Sequence, residues 1–425
     1  MPWAMRGVIE GFYGRPWTWD ERIEVARSCA DGAMTHYVYA PKDDPYHRDR
    51  WREPYPPDAL AGFERLIAEG GLSVGFAISP GLSIDPTAQE DREALAAKVA
   101  PMLDLGVELV VLALDDLPPR PGLGEEHAAL AAWLHEWLGG RAELALVPTE
   151  YTGTGGATPY LDALAGLPGD VAVGWTGPFV VNDAITVDDA RRRREALGGR
   201  PPLLWDNWPV NDAVMADRLF LGPLRGRDPG LAEVCSGYLA NPMVQPRANA
   251  LPLATVAAFL RGDDPTAAWA AAAEAGGLRV FAEACDGGVP GALVAEVVGG
   301  GPTRALASWL DTAAHCEAPG LEHEAAVWIE QVHAEARLGR SAVRLLEAVA
   351  EGRLPAAHEQ ALAIAFAWPA VRRGSVSVMG PRCGFRPVLG QDDAGRWVLR
   401  PEALDDDANA IDRLVRFALS RLAGA

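Results

Sequence analysis

VELVVLALDD, residues 107–116, decides how this chain is read: an apolar run of strand length, 107–114, ends in two consecutive acids, Asp115 and Asp116. A run so short and so apolar is the pattern of a strand buried on both faces. Adjacent carboxylates at its C-terminal tip repel one another and are costly to desolvate, so they point to a cleft where chemistry is done. Taken alone the pair equally fits a helix cap or a metal ligand set, and both alternatives stay open at this point.

Working outward from this run, further apolar strand candidates fall at 7–10, 36–40, 73–79, 143–147, 171–175, 202–205 and 237–240, so that with 108–114 there are eight. Amphipathic helical stretches separate them, the pattern of a parallel sheet wrapped by helices. Eight such units in roughly 250 residues have the length and count of a (β/α)8 TIM barrel, whose active site is built from the loops after the strands. The competing α/β architecture is a doubly wound open sheet. It is disfavoured because the first turn, GFYGRPW, lacks the GxGxxG spacing that seats a pyrophosphate on a helix N-terminus. GTGGATP from Gly153 has no following Lys and reads as a flexible loop.

Past residue 260 the sequence turns Ala-rich and helical, which gives an expected division into a catalytic barrel, 1–262, and an all-helical C-terminal domain, 263–425. Leu321, Ala325, Trp328, Ile329, Val332, Ala336, Val343, Leu345 and Leu346 predict a long helix with one apolar stripe. Other helices are expected at 265–285, 302–316, 356–371 and 405–422. The Gly- and Pro-punctuated segment 374–400 reads as a small hairpin or docking loop. Several apolar stripes offer a self-complementary surface, so a homodimer is expected.

Composition narrows the function classes. Among 425 residues, 49% hydrophobic and 23% charged, the net charge is −20, which argues against nucleic acid and anionic membrane as partners, since both attract clustered Lys and Arg. The one basic run, Arg191 to Arg194, is followed by Glu195 and suits a helix face. A polyanionic glycan would be repelled at long range, so a neutral ligand is favoured. Cys29, Cys235, Cys285, Cys316 and Cys383 are odd in number and form no CxxC pair, suggesting neither a disulfide frame nor a zinc ribbon. The apolar stretch 361–371 is broken by Pro369 and is too short to span a bilayer. With no secretory leader at the start, a cytoplasmic location is expected.

In a barrel the strand ends converge on one mouth, and here all of them are chemically rich: EGFYGRPW, YAPKDDPYHR, ISPGLSID, DDLPP, PTEY, WTGPFVV, WDNWPVND and LANP. HEAAV at His323 and HEQAL at His358 lack the second His of a zinc HExxH, and no GxSxG elbow occurs. His36 and His47 could line the rim or be satisfied structural residues. Taken one at a time, Tyr151 reads as a rim tyrosine, Trp205 as core, Asn207, Asp212 and Asn241 as turn or cap residues, Gly11 as a turn glycine, and Lys42 as an ion-pair partner of Asp43 or Asp44.

Together with AISPGLSI, LALDDL and LGPLRGR, these motifs run in order over about residues 6–260, and the chain thereby resembles glycoside hydrolase family 84, the protein O-GlcNAcases and related β-N-acetylglucosaminidases. The resemblance implies retaining, substrate-assisted hydrolysis of terminal β-linked GlcNAc through an oxazoline, outside the usual two-carboxylate scheme. It implies that Asp115 orients and stabilises the acetamido nitrogen while Asp116 is general acid and then general base. It places the Tyr151 hydroxyl at the acetamido oxygen or anomeric region and Trp205 as a wall around the acetamido methyl. Asn207, Asp212 and Asn241 would bind sugar hydroxyls, Gly11 would present its carbonyl, and Lys42 would contact the sugar or hold the loop. Thr176 and Val180 would pack near the acetamido pocket. Neither cofactor nor metal is implied, and the implied partner is a β-GlcNAc glycoside or an O-GlcNAc-modified protein. Two departures, Phe179 where relatives often carry Lys and Trp208 to Val210 in place of Ile-His-Ala, fall on the aglycone-facing surface. A carbohydrate-binding protein without turnover and an endo-acting hyaluronidase are the alternatives; the acidity of the chain disfavours the latter.

Overall fold

The structure, a computed structural model, describes residues 3–380, 385–391, 397–403 and 409–424. It divides into two compact units, 1–213 with 223–269 and 214–222 with 270–425. In the first unit, strands β1 (Met5–Glu10), β2 (His36–Tyr39), β3 (Ser73–Ile78), β4 (Leu109–Ala113), β5 (Glu143–Val147), β6 (Ala172–Trp175), β7 (Pro202–Asp206) and β8 (Gly237–Ala240) pair in sequence order as a closed parallel barrel. The ring closes where Met5 to Val8 of β1 register with Gly237 to Ala240 of β8. The eight strands lie where the apolar runs placed them, with ends differing by a residue or two.

Helices α1 (Trp19–Asp31), α2 (Pro57–Glu69), α3 (Gln89–Asp104), α4 (Leu123–Leu138), α5 (Pro159–Ala165), α6 (Val187–Ala196) and α7 (Ala250–Arg261) follow strands one to six and eight. Local chemistry starts several of them. Thr18 and Glu21 form a reciprocal capping box on α1, and Thr186 and Asp189 form one on α6. Such boxes satisfy backbone donors that no intrahelical carbonyl reaches.

Side chains alternate across each strand, and one alternate set fills the barrel axis. Met5, Ile9, Val38, Ala40, Ala77, Leu109, Val111, Ala113, Ala145, Val147, Leu203, Trp205 and Leu239 form that interior cluster. The other phase, including Val8, Val110, Leu112, Leu146, Leu204 and Tyr238, is equally buried but belongs to the outer face. Burial on both faces is why the strands read as continuous apolar runs rather than alternating ones.

In the second unit, α12 (Ala326–Ala350) packs against α13 (Leu354–Arg372) and α14 (Ala410–Ala423). One correction concerns the stretch 265–285, which is two helices, α8 (Pro265–Ala275) and α9 (Arg279–Asp286). The break falls at Gly276 and Gly277, the latter with φ +66°, a conformation a helix interior does not contain. Helix α10 (Gly288–Val298) was not among the expected helices; Pro290 falls in its first turn, where a missing N–H is tolerated. Helix α11 (Arg304–Ala313) falls within 302–316. The segment after Gly374 carries an antiparallel pair, β9 (Phe385–Gln391) and β10 (Trp397–Ala403). Cys383 lies outside the described residues. Among the described residues no helix is long and apolar enough to cross a membrane.

Candidate active site

The barrel phase itself aims the site. Continuing each inward stripe in steps of two beyond its strand gives Gly11 after Ile9, Lys42 after Ala40, Asp115 after Ala113, Tyr151 after Val147, Thr176 after Ala172, Asn207 after Trp205 and Asn241 after Leu239. Seven residues far apart in sequence therefore gather at the C-terminal mouth. Asp116 is out of phase by one and would point away from it. It adopts φ +57°, in the left-handed region that Asp tolerates better than most residues, so the chain turns at this point.

Asp115 is buried, and its Oδ2 accepts a hydrogen bond from Lys42 Nζ at 2.5 Å. Burial by itself would raise its pKa, but the charge and hydrogen bond of Lys42 outweigh that and hold the carboxyl below the usual carboxylate range. Its second oxygen, Oδ1, is buried and accepts no hydrogen bond. A buried ionised oxygen in that state is an acceptor waiting for a donor, since burial without one is costly.

Asp116 has different partners. Tyr151 donates its hydroxyl to Oδ1 at 3.1 Å and Tyr13 donates to Oδ2 at 3.0 Å. Burial, and then the nearby Asp116, push the Tyr151 phenol well up, so it stays a donor at any ordinary pH. The two acids thus sit in unlike surroundings, one ionised against an ammonium and the other held by neutral hydroxyls, an arrangement that gives neighbouring carboxyls separate roles.

The opposite side of the mouth is a hydrogen-bonded ladder. Asn241 Oδ1 accepts from the Gly11 N–H at 3.1 Å, while Asn241 Nδ2 donates to Asn207 Oδ1 at 2.9 Å. Trp205 Nε1 also donates to Asn207 Oδ1, at 3.0 Å, and Asn207 Nδ2 donates to the Val180 carbonyl at 2.8 Å. A Cβ on Gly11 would stand 2.2 Å from Trp205 Cζ2, so only glycine lets the indole reach the axis. Lys42 Nζ lies 5.7 Å from the Trp205 ring centroid and so links the acids to this wall. Asp212 Oδ2 accepts from the Tyr13 N–H at 2.8 Å, and its burial raises its pKa.

Thr176 is buried, its N–H donating to the Tyr151 carbonyl and its hydroxyl to the Phe179 carbonyl. The loop that follows is stapled by Asn182, whose amide donates to the Thr176 and Phe179 carbonyls and accepts from the Phe179 N–H. That staple leaves Phe179, Val180 and Val181 outside, with Phe179 71% exposed.

Sequence reasoning did not single out Tyr13, Arg48, Asn182 or the strand-tip acids Glu10 and Asp206. Tyr13 and Arg48 lie inside quoted motifs, yet nothing local says that they meet each other and Asp116. Of the histidines, His47 lies close enough to Lys42 and Asp115 to interact with their charges. His36 opens β2, at the end remote from the mouth. His47 is fully buried with Nδ1 on the Ala77 carbonyl, and burial lowers its pKa to about 4. His323 and His358 are exposed. Among the described residues no group of three or more His, Cys, Asp or Glu side chains is arranged to hold a metal ion.

Comparison with known proteins gives a consistent result. Residues 6–282 match the family model of the beta-N-acetylglucosaminidases. The sequence is 33% identical over 276 residues, 60% of this chain, to the protein O-GlcNAcases of Rattus norvegicus and Mus musculus. The matched part spans only 30% of the length of those relatives. A variant of the Thermobaculum terrenum O-GlcNAc hydrolase, 27% identical, superposes with a TM-score of 0.81, covering 89% of this chain and 92% of that one.

Proposed function

This chain belongs to the β-N-acetylglucosaminidase family, and from that premise we propose that it is a retaining, exo-acting hydrolase removing terminal β-linked GlcNAc by substrate-assisted catalysis. The 2-acetamido oxygen of the bound sugar attacks its own anomeric carbon as the C1–O bond to the aglycone breaks. Asp115 Oδ1 accepts the acetamido N–H and stabilises the positive charge that grows on that nitrogen. Asp116 gives its proton to the departing oxygen, and an oxazoline forms as the acetamido nitrogen passes its proton to Asp115, which returns it when the ring opens. Water then attacks C1 from the vacated face, Asp116 takes its proton, and the β configuration is restored.

The observation that carries this reading is the buried, ionised Asp115 with one oxygen unpartnered. An amide N–H that becomes cationic in the transition state is the donor such an oxygen favours, and the attraction strengthens as charge develops. Tyr151 supplies a neutral hydroxyl for the acetamido oxygen, Trp205 encloses the acetamido methyl, and Asn207, Asp212 and Asn241 take sugar hydroxyls. Gly11, Lys42, Thr176 and Val180 shape the pocket. We place the catalytic part at residues 1–262 and the helical part at 263–425. The substrate we propose is an O-GlcNAc-modified protein or peptide met in the cytoplasm by a homodimer.

The test is a series of aryl β-GlcNAc glycosides and a GlcNAc-derived thiazoline, a mimic of the oxazoline. Wild-type protein should turn over the glycosides with retention and bind the thiazoline far more tightly than GlcNAc. Asp115→Asn should weaken the thiazoline most. Equal, weak binding of thiazoline and GlcNAc would overturn substrate assistance.

A further inference from the structure

The carboxyl of Asp116 is held from two sides by tyrosines that differ in what stands behind them. Arg48 Nη1 donates to the Tyr13 oxygen at 2.9 Å, with the guanidinium carbon 6.0 Å from the Tyr13 ring centroid. A guanidinium has donors and no acceptor, so the Tyr13 oxygen must accept from it. The single proton of Tyr13 is then left for Asp116 Oδ2, 3.0 Å away. The Tyr13 backbone is fixed as well, with its N–H on Asp212 Oδ2 and the Gly14 N–H on Asp43 Oδ2, both at 2.8 Å. Tyr151, by contrast, makes one hydroxyl contact, to Asp116 Oδ1.

We propose that Arg48 and Tyr13 are positioning residues for the proton transfer: they keep Asp116 Oδ2 captive while Tyr151 releases Oδ1 to the substrate. The inference rests on the hydrolytic reading given above. On binding, Tyr151 turns its hydroxyl from Asp116 to the acetamido oxygen. Oδ1 is thereby freed to carry the proton toward the glycosidic oxygen, and the bond from Tyr13 prevents the carboxyl from rotating with it. Asp116 needs such a tether because it sits in left-handed backbone, and its carboxyl is held through hydroxyls rather than by a direct ion pair among the described residues. Arg48 also stabilises the negative charge left on Asp116 after the proton has gone.

The charged and titratable groups around Asp116 are Asp115 on its own strand tip, Lys42 beyond β2, Arg48 farther along the same loop, Tyr13 with Asp212 behind it, and Tyr151 beyond β5. Removing the Tyr13 donor or the Arg48 charge disfavours the ionised carboxylate.

The experiment measures kcat, and kcat/KM against pH, for aryl β-GlcNAc glycosides with leaving groups from poor to good, in wild type, Asp116→Asn, Tyr13→Phe, Arg48→Met and Arg48→Lys. For Tyr13→Phe and Arg48→Met the expected loss on the poorest leaving group is on the order of 10- to 100-fold, part of the roughly 10²- to 10⁴-fold that general acid–base catalysis supplies. On the best leaving group it should be under about 3-fold, because little protonation is needed there. Arg48→Lys, which retains charge and donor, should restore the rate on the poorest leaving group. An equal loss on every glycoside, or no rescue by Arg48→Lys, would overturn the proposal. Failure of the wider reading looks different: wild type would leave the glycosides intact, or Asp116→Asn would show no dependence on the leaving group.

Discussion

Acids of two kinds stand at the strand tips, one residue apart in phase, and only one kind is finished by the protein itself. On the outward phase, Glu10 of β1 accepts from Arg22 at 2.8 and 2.9 Å and from the Tyr37 hydroxyl at 2.7 Å. Asp206 of β7 accepts from Arg227 at 2.8 and 2.7 Å and from the Tyr238 hydroxyl at 2.5 Å. Both acids are fully buried, each charge is balanced, and both oxygens of each are used. On the mouth side, Asp115 has one cation and an open oxygen, while Asp116 has two hydroxyls and no cation. Closed carboxylate sets brace the barrel behind the site, since Glu10 precedes Gly11 and Asp206 precedes Asn207; open sets are left for a ligand to complete.

The comparison breaks most directly at Asp116. Asp116→Asn should lower kcat on poor leaving groups by about 10²- to 10⁴-fold, yet move the unfolding free energy by no more than about 0.5 kcal/mol, as for other surface changes. Steady-state kinetics beside thermal melts would decide it; a large loss of stability would place Asp116 with the bracing acids. Lys42→Met should injure both properties. In the native chain the lowered Asp115 pKa means that its stabilising contribution is complete above the unfolded value, 3.8, and is lost only as pH falls through the lower folded one. Without Lys42, only a backbone hydrogen bond and the His47 ring oppose burial, and the folded pKa is expected to rise above the unfolded value. Stability should then decline as pH climbs past 3.8, by roughly 3–5 kcal/mol in all for a broken buried pair, and the acid limb of kcat/KM should move up. Melts and rates from pH 4 to 8 follow both.

Arg22→Met strands Glu10 and should cost about 3–5 kcal/mol of stability while kcat per folded molecule holds. A fall in kcat at full folding would mean that the outward acids act in the chemistry. Asn207→Ala removes the shared acceptor of Trp205 and Asn241, and an approximately 10- to 100-fold fall in kcat/KM is expected from buried partners left unpaired. The smallest effect belongs to the exposed rim. Phe179→Lys should leave melts within about 0.5 kcal/mol and shift kcat/KM by only a few-fold, toward acidic glycopeptides, as a competition assay would register.

Much of this was legible without coordinates. The apolar runs located the eight strands because both faces of a barrel strand are buried, and the strand ends carried the motifs. The helical region was read less well: Gly276 and Gly277 hid a break inside one apolar pattern, and the helix at Gly288–Val298 was not among those expected, since glycine and proline in its first turn are poor helix formers. Tyr13 and Arg48 stayed invisible for another reason. They are 35 residues apart, and a hydroxyl caught between a guanidinium and a carboxylate leaves no periodic trace in sequence.

By itself the sequence determined the barrel, its strand count and the strand ends at which the site residues gather, because a strand buried on both faces reads as one apolar run. Only the tertiary structure decided that Lys42 ionises one acid while two tyrosines hold the other, and that Arg22 and Arg227 close the outward carboxylates. Those outcomes depend on groups brought together by ring closure, and charge compensation is settled by distance in space rather than position along the chain.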